Sequence, residues 1–159
     1  MELKEKLKQR FFHLPLHYID SCIILKDPDT EDGIYCKKYL NKVPNYCRVA
    51  ISNPALGEIL THLLFIKDFE NRLQFLRLVH EYIIGKKFHI RTDQNIDEIT
   101  EKIRETFPEI DPNDRFILAY VVEDKRTRIL VTTDKILIKC GGGLKKEFGI
   151  IIKHPKDLI

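Results

Sequence analysis

Short apolar runs separated by longer stretches of helical periodicity are the feature that most constrains this chain. LHYI (Leu16 to Ile19), RVAI (Arg48 to Ile51), FHI (Phe88 to Ile90), the run from Arg128 to Thr132 and FGIII (Phe148 to Ile152) all have strand length, and helical patterns lie between them. Strands that alternate with helices bury both faces of a parallel sheet. The pattern therefore predicts an α/β fold with a central parallel sheet of about five strands and six or seven helices. With 159 residues, no internal repeat and no linker rich in Pro, Gly or Ser, residues 1–159 read as a single domain.

Local signals place the helices. One is expected over Glu31 to Leu40. Ser52 or Asn53 is suited to cap NPALGEILTHLLF, with Pro54 in its first turn, and Leu56, Ile59, Leu60, Leu63 and Leu64 form its core-facing stripe. An amphipathic helix is expected from about Phe69 to Ile84, stopping at Gly85, and a charged one from Asn95 to Phe107, ending before Pro108. Pro112 to Glu123 reads as a buried helix. A last helix starts near Lys135, and Gly141, Gly142 and Gly143 read as its stop.

Composition removes several classes. At 43% hydrophobic and 32% charged residues the chain is globular, and no apolar run approaches the ~20 residues of a membrane helix. MELKEKLKQR is too polar for a secretory signal, so a cytoplasmic location with no membrane partner is expected. Cys22, Cys36, Cys47 and Cys140 have neither a CxxC pair nor a histidine at zinc-finger spacing and read as reduced thiols. His80-Glu81 lacks the second histidine of HExxH, and His13 and His17 read as surface or packing residues. Neither a phosphate-binding glycine loop nor a serine or cysteine triad can be assembled.

The carboxylates carry more chemistry. Parallel sheets place ligand sites beyond the carboxyl ends of their strands. Asp20 follows the first strand, Glu58 lies in the second turn of the helix leaving the second, Asp114 opens the helix that leads to the fourth, and Asp134 lies just past the fourth. Each also has a plain structural role open to it: Asp111 as N-cap with Asp114 at N3, Asp134 as cap of the next helix, Asp20 as a strand-end turn residue. Glu58, the only formal charge from Asn53 to Ile66, has solvent open to it opposite the leucine stripe, yet Ala55 and Phe65 share its face, and a lone carboxylate buried there would need a cation. Four carboxylates on one edge repel one another until a cation enters, and oxygen-only ligands favour Mg²⁺ or Mn²⁺ over Zn²⁺. Phosphodiester cleavage is the chemistry that such a cluster suits best.

In order along the chain, YIDSCIIL, SNPALGEIL, DPNDRFILAYVVE and ILVTTDKIL resemble the motifs of the PIN-domain nucleases, a family that includes VapC-type toxins of toxin-antitoxin pairs and RNA-processing endonucleases. The likeness runs from about Leu16 to Ile152. It implies a three-layer fold, a five-stranded parallel sheet between helices, and an Mg²⁺- or Mn²⁺-dependent endoribonuclease in which a metal-activated water attacks RNA phosphorus in line. Asp20, Glu58, Asp114 and Asp134 are then the catalytic, metal-holding acids, with Ser21, Thr132 and Thr133 as supporting hydroxyls. An antitoxin and a homodimer are the protein partners it brings with it.

An acidic pocket needs basic flanks to draw RNA across it. The candidates are Lys86, Lys87, Arg91, Lys125, Arg126 and Arg128, with Lys37, Lys38, His89, Lys145 and Lys146 beside them. The alternative function is a catalytically silent RNA- or protein-binding module on the same fold. A phosphatase is disfavoured, because Asp20-Ser21-Cys22 is not the DxD nucleophile motif.

Overall fold

Leu16, Tyr18 and Ile19 are almost entirely removed from solvent, and His17 nearly so, which is the burial of a strand covered on both faces. They form β1 (Leu16–Ile19), the middle of a five-stranded sheet whose order is β3-β2-β1-β4-β5 and whose neighbours all pair in parallel. The other strands are β2 (Arg48–Ser52), β3 (Phe88–Arg91), β4 (Ile129–Val131) and β5 (Ile151–Lys153). The computed structural model describes residues 14–45, 47–80, 88–91 and 96–159, with residues 44 and 88–91 as backbone only.

Seven α-helices connect these strands among the described residues: α1 (Cys22–Leu25), α2 (Glu31–Lys42), α3 (Asn53–Phe65), α4 (Phe69–Val79), α5 (Asp97–Thr106), α6 (Pro112–Glu123) and α7 (Lys135–Phe148). The chain moves outward from β1 to β2 and β3, then returns across the sheet to β4 on the other side of β1. Connections therefore diverge between β1 and β4, which makes their carboxyl ends the switch point where α/β sheets bind ligands. No helix among the described residues is long and apolar enough to cross a membrane.

Capping follows the sequence signals. Ser52 accepts from Ala55 N at 3.4 Å to start α3, Asp111 accepts from Asn113 N at 3.0 Å to start α6, and Asp134 accepts from Leu137 N at 2.9 Å to start α7. The expected glycine stop at Gly141, Gly142 and Gly143 is corrected. The helix α7 runs through them to Phe148, so FGIII does not start the last strand at Phe148. Gly149, with φ of +70°, is the true end, in the left-handed conformation that glycine adopts without steric cost. Gly143 instead lets α7 lie close to Phe107, in the connection between α5 and α6: a Cβ there would stand 2.7 Å from the Phe107 ring.

The leucine stripe of α3 is corrected as well. Ala55 and Ile59 face the core, whereas Leu60 and Leu64 are 45% and 77% exposed. NPALGEILTHLLF is apolar around most of its circumference, so an i, i+3, i+4 template fits several faces. The small Ala55 marks the one that can approach the sheet. Of the helix expected over Phe69 to Ile84, α4 is the described part; Gly85, like His13, Lys86 and Lys87, lies outside the described residues.

At the opposite end of the sheet, Asp124 ties the α6–β4 turn to β1. It accepts from Tyr18 Oη at 2.8 Å and from Arg126 Nε and Nη2 at 3.0 and 2.8 Å. Burial opposes its ionisation, but the donors of Arg126 and Tyr18 outweigh burial and hold the carboxyl well below the usual carboxylate range. A carboxyl depressed in the folded state contributes stability above its unfolded pKa of about 4, and that contribution is lost as pH falls toward the folded value. Arg126→Ala is expected to lower unfolding free energy by about 2 kcal/mol at pH 7 in urea titrations, because it strands a buried charge. The deficit should shrink below about pH 4; a deficit independent of pH would contradict the assignment.

Candidate active site

The pairing of β1 with β4 continues one residue past β1, where Asp20 N donates to Val131 O at 3.0 Å. This brings Asp20, only 3% exposed, beside fully buried Thr132. Thr132 Oγ1 donates to Asp20 Oδ2 at 2.6 Å and accepts from Asp134 N at 2.9 Å. One hydroxyl thus sets the positions of two acids that follow different strands.

Ser21 makes a second link. Its hydroxyl contacts the Glu58 carboxylate and lies 3.3 Å from Asp20 Oδ1, so its single proton serves one acid at a time. Asn113, in the first turn of α6, donates an amide N–H to the other Glu58 oxygen. Cys22 lies beneath, with its thiol 3.2 Å from Asp20 Oδ2 and 3.3 Å from Thr133 Oγ1. Burial and then the charge of Asp20 push that thiol up to about 12, so it stays protonated and donates.

Asp20, Glu58, Asp114 and Asp134 all line one open cavity of about 500 Å³, together with Ser21, Cys22 and Thr133. Thus a helix cap (Asp134) and an N3 residue (Asp114) are also walls of this cavity. Burial, followed by the charges of Asp20, Asp134, Glu58 and Asp111, pushes Asp114 up to about 7. Among the described residues no three His, Cys, Asp or Glu side chains close into a ligand cage. The acids stand around the cavity, with Asp20, Glu58 and Asp134 placed by hydrogen bonds with Thr132, Ser21, Asn113 and Leu137 N. The donor set is hard oxygen in an unbalanced negative field, which fits Mg²⁺ or Mn²⁺ in its chemistry.

Motif reading missed Lys26, Lys135, Cys22 and Asn113. The lysines line the same cavity, and Lys26 is held 3.6 Å from Asp32. Chain proximity was the available signal, since each lies within six residues of an acid. The basic candidates Lys125, Arg126 and Arg128 are not brought there: they sit on the turn entering the amino end of β4, with Arg126 on Asp124 and Arg128 Nη1 donating to Val122 O at 2.9 Å. Lys145 and Lys146 occupy the last turn of α7, whose first turn faces the cavity. Lys37 lines a neighbouring groove that shares Lys26 with the cavity, and Lys38 lies over the Tyr35 ring. The backbone of Arg91 pairs with Ser52 at the carboxyl edge.

No family model matches the sequence, and no curated protein does. Solved structures are similar in fold. A chain of VapBC2 from Rickettsia felis, bound to a DNA fragment from its promoter, gives a TM-score of 0.63 at 16% identity, covering 87% of this chain and 98% of that one. VapBC-1 from nontypeable Haemophilus influenzae gives 0.60 at 15% identity, covering 89% and 98%. FitAcB from Neisseria gonorrhoeae gives 0.61 at 15%, covering 88% and 98%. The fold is therefore the PIN-like one that the sequence motifs resemble.

A carboxyl raised in the folded state destabilises in proportion to its forced ionisation. For Asp114 the penalty is absent below about pH 4, grows as pH rises, and is complete above about 7. In EDTA at pH 8, Asp114→Asn is expected to raise stability by about 1–2 kcal/mol, a figure discounted for partial solvent access. Wild type should melt at a higher temperature with Mn²⁺ than in EDTA. Equal melting temperatures of wild type and variant across pH 4–8 would refute strain at Asp114.

Proposed function

We propose that the chain is a divalent-metal-dependent endoribonuclease, of the toxin kind that works opposite an antitoxin. The observation that carries the proposal is the convergence of four acids, from β1, α3, α6 and the end of β4, on one cavity where burial, and then the charges of its neighbours, push Asp114 up to about 7. A group of acids arranged at this energetic cost suits a cation, and a cation among oxygen ligands suits phosphate chemistry. The likeness in fold to the VapBC and FitAB assemblies supports the same reading and supplies its partner.

Asp20, Glu58, Asp114 and Asp134 would hold Mg²⁺ or Mn²⁺, which supplies Lewis-acid polarisation and a nucleophile at neutral pH. The chain's own residues do the positioning. Thr132 fixes the Asp20 carboxylate plane, Ser21 couples Asp20 to Glu58, and the protonated Cys22 thiol gives Asp20 another donor. Lys26 and Lys135 bring positive charge to the cavity edge, where they offset the phosphates of an approaching strand.

The test is cleavage of end-labelled RNA by purified protein with Mg²⁺, Mn²⁺ or EDTA. Asp134→Asn is informative because asparagine also caps helices well, so the variant keeps the start of α7 while losing the charge. Metal-dependent cutting that Asp20→Asn and Asp134→Asn each reduce by about 100-fold or more is expected. Adding the cognate antitoxin should silence the wild type. Protein that binds RNA and never cuts it under any metal would transfer the assignment to the silent binding module.

A further inference from the structure

The acidic cavity does not end at Glu58. A second open groove of about 680 Å³ shares Ser21 and Glu58 with it, so the two form one trough with Glu58 at the divide. Its long wall is a stripe of α3, Pro54, Gly57, Glu58, Thr61 and His62, at the i, i+3, i+4, i+7, i+8 spacing of one helix face. Asn113 closes the other side.

The two ends of the trough differ in chemistry. On the acidic side stand the cations Lys26 and Lys135, which suit phosphate. On the α3 side Glu58 is the only carboxylate among the described residues, and the rest is an imidazole, an amide, two hydroxyls and apolar surface. That lining offers little to a phosphate and much to a nucleobase, which seeks an aromatic face and paired amide donors and acceptors. His62 is exposed and braced edge-on by Phe75, with ring centroids 5.4 Å apart. Asn113 gives one N–H to Glu58, which leaves its amide oxygen and second N–H for a ligand. At Gly57 a Cβ would meet nothing within 4 Å, so the absence of a side chain keeps the groove wide there.

We infer that this groove is a nucleobase subsite, taking the base of the nucleotide next to the cleaved phosphate. The inference rests on the nuclease reading above. A base seated between His62 and Asn113 has left its stack and its partner.

The experiment fills the groove. Gly57→Phe improves helix propensity and has open space before it, so the fold should survive, as a melting curve will show. Gly142→Phe is the control, made on α7 at an exposed position that likewise has open space. Substrates are a single-stranded oligoribonucleotide, its duplex, and versions with one abasic ribose on either side of the mapped cut. Binding of the labelled oligonucleotide is followed by anisotropy in EDTA. Wild type and Gly142→Phe should lose about tenfold in kcat/KM when one flanking base is removed, and more on the duplex. Gly57→Phe should lose about tenfold on the intact strand, mainly through KM, and become indifferent to the missing base. His62→Ala should weaken binding about fivefold. Indifference of the wild type to both abasic positions, or a base dependence that Gly57→Phe retains, overturns the subsite. Should wild type cut no RNA, the nuclease reading falls, while anisotropy still decides the groove: binding weakened by Gly57→Phe upholds it, and equal or absent binding overturns it.

Discussion

The bond from Thr132 Oγ1 to Asp20 Oδ2 is the constraint on which the rest of the site depends. Parallel strands end in carboxyl-terminal loops that are free to diverge, and at a switch point they must. Here the divergence is held in check by a row of bonds: Asp20 N to Val131 O, Thr132 N to Lys153 O, and the Thr132 hydroxyl between Asp20 and Asp134. Because Thr132 is fully buried, its hydroxyl must be satisfied, and these partners satisfy both its donor and its acceptor. The arrangement fixes two carboxylates before any ligand is present.

That fixing has an electrostatic cost, which falls on Asp114. Asp20 and Asp134 are pinned by hydrogen bonds, and Glu58 is held by Ser21 and Asn113. Asp114, half-buried at the third position of α6, is raised to about 7 by that burial and then by their combined field. The helix that carries it is anchored by its own apolar face, with Ile117, Leu118, Ala119 and Val121 fully buried, so backbone movement cannot relieve the strain. Core packing thus holds in place a charge arrangement that water alone would disperse.

Most of the fold was legible in the sequence, because β-strand runs such as LHYI and RVAI are near-continuous apolar segments with few other uses. The acids were legible for a related reason: Glu58 is a lone charge in an apolar helix, and Asp20 and Asp134 end strands. Legibility failed where one residue type serves two ends. Glycine marks helix stops, yet Gly143 serves close packing against Phe107, and only the φ of Gly149 identifies the stop. Leucines on α3 matched a core stripe, yet Ala55 decided which face docked. One basic run lies away from the cavity for a topological reason. Lys125, Arg126 and Arg128 stand near a strand in sequence, but at its amino end, opposite the acids. Lys26 and Lys135, single lysines outside those runs, are the cations that line the cavity among the described residues.

The central claim is that these four acids share a divalent cation. Its most direct measurement is anomalous diffraction from crystals equilibrated with Mn²⁺, recorded on both sides of the manganese absorption edge. The account predicts a manganese peak inside the cavity bounded by Asp20, Glu58, Asp114 and Asp134, lost in Asp20→Asn crystals treated alike. A cavity without a peak, or a peak coordinated elsewhere and unaffected by that substitution, would contradict it.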